Sequence, residues 1–196
     1  MRSATLRKIV MVPMVLLALM AAVSTAPAAQ TFLFCHGTNW PSCRGILSAA
    51  GTDISFSMAG TPALAEVDEF TDPATTRNVL WKDIDMKGTT EKGDTISATL
   101  DPARQSSGTV LSVGNTEFPA TATMRFFFRM EFAGMTLVSE QPAVFQGIIH
   151  SIPPAPGDVL TLISPAEFHR EGETEAIGVL KESAVSFTAP TPAEGR

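Results

Sequence analysis

The stretch 120–132 restricts the fold more than any other part of this sequence. Every even-numbered position in it is apolar, and every odd-numbered position is polar except Phe127. The apolar set is Ala120, Ala122, Met124, Phe126, Phe128, Met130 and Phe132. A period of two is typical of a β-strand with one face in a core and the other in water. On a helix the same residues would give no apolar stripe, so the pattern predicts a long, half-buried strand.

Further strands are predicted on both sides of this stretch. Gly134 reverses the chain, and residues 143–151 supply a second apolar, β-branched run. Shorter alternating runs, separated by Gly- and Pro-containing turns, fill the rest of residues 30–188. This spacing favours an all-β domain, an antiparallel β-sandwich of the Ig-like or open-barrel kind. Its expected core is Phe56, Ile84, Ile96, Met124, Phe126, Phe128, Phe132 and Ile148.

The two ends of the chain are predicted to lie outside this domain. Arg2, Arg7 and Lys8 precede the apolar run Ile9–Val23, which ends in small residues, so residues 1–29 are predicted to be a cleaved signal peptide. The apolar run falls short of the roughly 20 residues that span a bilayer. We therefore expect an exported protein, periplasmic or extracellular, without a transmembrane segment after signal removal. Residues 189–196 are predicted to be a disordered tail.

The charge balance narrows the choice of partner. The sequence has 14 Lys+Arg and 20 Asp+Glu, and removal of the three basic residues of the signal segment leaves 11 against 20, a net charge of −9. An acidic chain without a basic cluster is not expected to bind nucleic acid or anionic lipid. The partners that remain are another protein or an apolar small molecule.

The two cysteines are predicted to form a disulfide. Cys35 and Cys43 are close in sequence, and paired cysteines in an exported chain favour a bridge. With His36 they could also bind zinc or copper, but structural zinc sites use four ligands, so no metal is expected.

Two other metal-like patterns are weak. Asp83, Asp85, Gly88 and Asp94 match part of an EF-hand spacing, but Lys87 stands where an oxygen ligand is needed. The methionines alternate with other apolar residues and are interpreted as core filler. The sequence contains no phosphate-binding glycine loop, and no cofactor is predicted.

Candidate site residues are few. His150 or His169 with a nearby carboxylate could serve a hydrolase, but neither a Gly-x-Ser-x-Gly elbow nor a His-Glu-x-x-His motif is present, so an enzyme is not predicted. Arg125, Phe127 and Arg129 form a candidate surface patch on the polar face of the long strand, and a covering loop is the alternative.

Two functions are compatible with these features. The first is a non-enzymatic binding or structural module outside the cytoplasm, such as a surface, adhesive or assembly component, with an exposed patch or an unpaired sheet edge able to take a partner strand. The alternative is a carrier of a small apolar ligand or lipid in a cavity of the Phe/Met-rich sheet. That function requires a pocket of a few hundred Å³ with polar groups at its mouth.

Overall fold

A computed structural model describes most of the chain after the predicted signal segment. It describes residues 30–34, 40–60, 63–68 and 76–188, with backbone alone for 30–34, 40 and 188. The predicted signal peptide, Cys35, His36 and the predicted tail lie outside the described residues. Among the described residues there is no helix at all, and so none that is long and apolar enough to cross a membrane.

The described residues form fifteen β-strands. The first eight are β1 (Gln30–Phe34), β2 (Trp40–Ala49), β3 (Thr52–Gly60), β4 (Ala63–Val67), β5 (Thr76–Asp83), β6 (Asp85–Thr90), β7 (Thr95–Leu100) and β8 (Ser107–Ser112). The remaining seven are β9 (Ala120–Phe126), β10 (Phe128–Phe132), β11 (Met135–Ser139), β12 (Ala143–Ile149), β13 (Val159–Ser164), β14 (Ala166–Arg170) and β15 (Ala176–Thr188). The prediction of an all-β chain is confirmed.

The strands close into a barrel. The ring runs β2–β3–β6–β7–β10–β11–β14–β15, and β15 pairs again with β2 along Gly178–Thr188. All of these pairs are antiparallel. The predicted face-to-face sandwich is therefore wrong, because a sheet whose last strand bonds to its first is a barrel and not two stacked sheets.

The other strands extend this ring at one end. β4, β5, β8, β9, β12 and β13 continue barrel strands after short breaks, pair with one another in the same order, and join β15 through β13. β1 pairs with the outer edge of β4. Only one residue separates β9 from β10, and this residue is Phe127. The long alternating stretch of the sequence is thus one strand that bends at Phe127 as it passes from the extension into the ring.

The two ends of the barrel have different connections. At one end β2–β3 and β10–β11 are joined by the two-residue turns Ala50–Gly51 and Ala133–Gly134. At the other end the connections are long, as in residues 113–119 and 150–158. We call the strands β3, β6, β7, β10, β11 and β14 the turn half, and β4, β5, β8, β9, β12 and β13 the loop half.

The buried side chains point into the barrel. Seven of the eight predicted core residues have less than 9 % of their surface exposed, and Ile148 is the exception at 46 %. In β12 the inward set is Ala143, Phe145 and Ile149, one residue out of phase with the prediction. The run AVFQGII is apolar in both frames, and the large ring of Phe145 occupies the interior.

Glycine permits close strand contact at two points of the wall. A Cβ on Gly88 would overlap the backbone of Ser57 in β3, and a Cβ on Gly147 would overlap the carbonyl of Val159 in β13. Glycine is required where backbones approach this closely.

Candidate functional site

The barrel interior is the main candidate site because most of its buried side chains are apolar. Aromatic rings gather at the level where the long strands bend: the centroid of Phe126 lies 5.2 Å from that of Trp81, 5.4 Å from that of Phe128 and 5.8 Å from that of Phe145. Tilted, offset and edge-to-face ring pairs of this kind are favourable beyond the apolar area they bury. The interior therefore has an aromatic layer between the two halves.

A small cavity adjoins this aromatic layer. Its volume is about 30 Å³, and its lining is entirely apolar. The lining residues are Pro41, Ala63, Trp81, Ile84, Met86, Phe126, Phe128, Leu160, Val185 and Phe187. A ligand-binding interior was expected to offer a few hundred Å³, and this cavity is far smaller. A ligand larger than a few atoms must therefore displace side chains to enter. Met86 is suited to this because its unbranched chain has three rotatable bonds.

A charged pair lies on the inner face near the loop end. Arg77 lies at every-second-residue spacing from the buried residues Val79 and Trp81, so it shares their face of β5. It also pairs directly with the fully buried Val110. Directly paired residues of antiparallel strands share a face, so Arg77 faces the interior. Its guanidinium bonds to the carboxylate of Glu117 in the connection 113–119. The apolar interior thus ends in a polar pair at its mouth, and no periodic pattern in the sequence indicates this pair.

The connection 150–158 is fixed at the loop end by a buried carboxylate. Asp158 is 4 % exposed, and its Oδ2 accepts backbone N–H bonds from His150 at 3.0 Å and Ala155 at 2.8 Å. Its Oδ1 lies 2.6 Å from His150 Nδ1. A buried carboxylate with three partners holds the connection in one conformation. The Pro-Gly pair before Asp158 marks a turn in the sequence, but nothing in the pattern indicated that Asp158 would be buried.

The two described candidate histidines have different surroundings. His150 has the carboxylate partner that a hydrolase site needs, but the neighbouring hydroxyl of Ser151 donates to the carbonyl of Pro153 at 2.6 Å. His169 is buried in β14, and within the described residues neither of its ring nitrogens has a hydrogen-bond partner. Among the described contacts, His150 and Asp158 help to hold the connection 150–158, and the Ser151 hydroxyl is directed to a backbone carbonyl.

The predicted surface patch is divided among different contacts. Arg104, from the connection between β7 and β8, places its guanidinium carbon 5.5 Å from the centroid of the Phe127 ring. Arg129 bonds to Glu171 with both terminal nitrogens, an interaction that lowers the pKa of Glu171 and raises that of Arg129. Arg125 is exposed on the outer surface. Phe127 is thus partly covered by a loop, the alternative considered from the sequence.

Cys43 is a buried thiol in β2. Its Sγ lies 3.2 Å from the hydroxyl of Ser183 in β15. Burial raises its pKa to about 11, and the contact with Ser183 opposes this shift. The described residues contain no disulfide. Because Cys35 lies outside them, the predicted Cys35–Cys43 bridge stays a prediction.

The described residues contain no group of three His, Cys, Asp or Glu side chains placed to hold a metal. The residues of the partial EF-hand spacing lie in β5, in β6 and in the turn after β6. Within β6, Asp85 forms a salt bridge with Lys87 at 3.1 Å. Asp94 closes the turn through backbone and side-chain bonds with Thr90.

Comparison with known proteins gives a fold likeness and no family. No protein-family model matches the chain, and no curated protein matches it. The chain is similar to the solved structure of DynF from the dynemicin biosynthesis pathway of Micromonospora chersina, with a TM-score of 0.68 and 15 % sequence identity. The likeness covers 79 % of this chain and 81 % of that one.

These findings overturn the predicted surface, adhesive or assembly module. That function was expected to offer an exposed patch or an unpaired sheet edge, and the eight described strands of the ring have no unpaired edge, because β15 pairs with β2. The structural likeness to a protein of a biosynthesis pathway gives an adhesive role no support. Export and the expected lack of enzymatic activity stay predictions.

Proposed function

We propose that this protein binds a small apolar ligand inside its barrel. An eight-stranded barrel is just wide enough either to be filled by its own side chains or to hold one small ligand. The observation that carries the proposal is the entirely apolar cavity beside the aromatic layer. The Arg77–Glu117 pair supplies polar groups at the mouth, as ligand sites in apolar interiors commonly do.

Ligand entry depends on adaptable side chains. The cavity of about 30 Å³ is much smaller than a lipid chain, so binding moves Met86 and the rings around it. Apolar ligands bury apolar area at roughly 25 cal/mol per Å², which offsets the cost of this rearrangement. The ligand class is therefore a compact apolar molecule or the end of a hydrocarbon chain.

A titration with the apolar fluorophore 1-aminoanthracene tests the proposal. We expect saturable binding with enhanced fluorescence, together with co-purified apolar molecules in native mass spectrometry. Ala63→Leu adds bulk to the cavity wall and should weaken binding at least tenfold, because roughly 1.4 kcal/mol corresponds to tenfold in affinity. The matched control is Ala98→Leu, since Ala98 is equally buried but does not line the cavity.

The two variants separate cavity binding from a loss of structure. Both overpack the core and should destabilise the barrel by about 1–3 kcal/mol. If neither probe nor native ligand binds the wild type, or if both variants lose binding equally, the proposal is wrong.

A further inference from the structure

A second polar group lies beside the Arg77–Glu117 pair at the loop end of the interior. Ser112 follows the inward residue Val110 by two positions on β8 and pairs directly with the fully buried Ala120, so it faces the interior. Because Arg77 pairs with Val110, Arg77 and Ser112 are diagonal neighbours on this face, roughly 7–8 Å apart. The hydroxyl oxygen of Ser112 is buried and, within the described part of the chain, has no hydrogen-bond partner.

Both side chains can donate hydrogen bonds at the mouth. The guanidinium of Arg77 carries its N–H donors in one plane, and the hydroxyl of Ser112 adds one O–H donor. A buried donor without an acceptor is costly, and most such groups in folded proteins are paired. Donors beside an apolar interior therefore favour a ligand whose end accepts hydrogen bonds. A carboxylate forms the strongest of these bonds with a guanidinium.

Glu117 is an acceptor of this kind supplied by the chain itself. Its carboxylate bonds to Arg77, but its side chain is 47 % exposed and belongs to the connection 113–119. It can return to water at little cost, since ion pairs of exposed side chains contribute little to stability. The side chain of Arg77 is only 14 % exposed, so its charge needs an acceptor whether or not Glu117 stays. A ligand carboxylate can therefore exchange with Glu117.

The distance from this mouth to the cavity sets the length of such a ligand. Trp81, which lines the cavity, follows Arg77 by four residues on β5, roughly 13 Å along an extended strand. The interior of the loop half includes the small side chains of Ala120 and Ala122 and the flexible one of Met124. A hydrocarbon chain of medium length with its head at Arg77 would therefore reach the aromatic layer.

We propose that the interior ligand is an amphiphile with a carboxylate head, which replaces Glu117 on Arg77 and accepts a further hydrogen bond from Ser112. The inference rests on the proposed function and narrows its ligand class from apolar molecules in general to medium-chain acids. The formal net charge of −6 does not oppose it. The head group meets the guanidinium directly, whereas exposed charges farther than roughly 10 Å away are screened by salt.

Displacement of 1-aminoanthracene by decanoate, decanol and decylamine tests the head group, because the three ligands have the same chain length. At about pH 8, where the acid is ionised, decanoate should bind most tightly and decylamine most weakly. Arg77→Met should weaken decanoate binding at least about tenfold and leave decanol binding unchanged. Ser112→Ala should weaken decanoate binding less, about threefold. Glu117→Gln should strengthen it, because the competing negative charge is removed.

Arg125→Met is the matched control, because Arg125 is exposed on the outer surface of the same half. It should change neither decanoate nor decanol binding. Urea unfolding of all variants shows whether the fold is intact. Should Arg77→Met not fold, Glu117→Gln and Ser112→Ala decide, and weaker decanoate binding in the first or unchanged binding in the second would overturn the inference.

The decanol measurement separates this inference from the function on which it rests. If 1-aminoanthracene and decanol bind but decanoate binds no more tightly than decanol, the carboxylate head is wrong and the interior site stands. The same holds if Arg77→Met weakens decanol and decanoate equally, or if Arg125→Met weakens decanoate as much as Arg77→Met does. If none of the probes binds the wild type, the proposed function fails and this inference fails with it.

Discussion

The turn half and the loop half of the barrel differ in what fills them. Large side chains such as Phe132, Leu137 and Phe168 fill the turn half, and two-residue turns close two of its hairpins. The loop half has more inward alanines, at residues 63, 65, 120, 122 and 143, and these lie beside large side chains such as Phe145 and Met124. Large inward side chains fill the interior by themselves, whereas small ones leave space that another part of the chain or a ligand must fill. Stability is therefore concentrated in the turn half, and adaptability in the loop half and at the aromatic layer.

The connection 150–158 covers part of the loop end of the barrel. Pro154 is fully buried, in the connection that Asp158 fixes. The connection 150–158 thus fills space that the strands leave unfilled. Loops of this kind unfold locally at a lower free energy than paired strands. For the proposed ligand, we therefore expect entry at the loop end of the barrel.

Truncation of large interior rings should give the largest difference between the halves. Phe168→Ala removes a fully buried ring from the turn half and should lower the free energy of unfolding by about 3–5 kcal/mol. Phe145→Ala, the matched buried ring of the loop half, should cost less, about 3 kcal/mol, because the adaptable loop half can collapse around the lost volume. Urea unfolding with linear extrapolation measures both. Equal costs would contradict the proposed concentration of stability.

A methyl group on the strand glycines should have the next largest effect. Gly88→Ala places a Cβ against the backbone of Ser57 and should cost about 3 kcal/mol. In Gly178→Ala the Cβ lies 3.4 Å from Leu47 Cδ1, an ordinary contact, so this control should be nearly neutral. Gly147→Ala, in the loop half, should cost less than Gly88→Ala although both clash. Thermal unfolding of the three variants compares them, and the reverse order would show that the loop half is the stiffer one.

The seam between β2 and β15, which runs through both halves, should weaken at high pH in the reduced protein. The pKa of Cys43 is raised from 9.0 to about 11, so the folded state keeps the thiol protonated after the unfolded chain has ionised. Its contribution is complete below pH 9 and should be lost between pH 9 and pH 11, by about 2–3 kcal/mol. Cys43→Ala should remove this part of the pH dependence. Identical slopes in the two proteins would show that Cys43 is not a buried free thiol.

Release of the connection 150–158 should have the smallest of these effects on stability. Asp158→Asn weakens the bonds to the backbone N–H groups of His150 and Ala155 and should cost about 2 kcal/mol. His150→Ala should cost less, because the imidazole is largely exposed. Hydrogen exchange should rise in the connection and leave the turn half unchanged. An increase spread evenly over the barrel would mean that the two halves unfold together.

The alternation of residues was sufficient to predict much of the fold. The period of two in residues 120–132 correctly indicated an extended strand with one buried face. It could not indicate closure, because the pairing of β2 with β15 joins residues about as far apart as the chain allows. Local pattern records which face is buried and not which strand lies beside it.

The site was harder to predict for two physical reasons. In β5 the inward face carries Val79 and Trp81, but after the bend it carries Ile84 and Met86, so no single uninterrupted alternation along the sequence predicts both pairs as buried. Asp158 can be buried because backbone N–H groups of the folded connection donate hydrogen bonds to its carboxylate. Hydrogen bonds of this kind leave no periodic pattern in the sequence. Of the residues that line the cavity, Ile84, Phe126 and Phe128 were predicted as core and Met86 as core filler, but their incomplete packing depends on the closed ring.

Methionine methyl NMR tests the central claim most directly. With ¹³C-methyl methionine and added 1-aminoanthracene, the signal of Met86, which lines the cavity, should move, while that of Met130 in the turn half should stay in place. If Met130 moves and Met86 does not, or if neither responds at saturating probe, the ligand does not bind in the cavity at the aromatic layer.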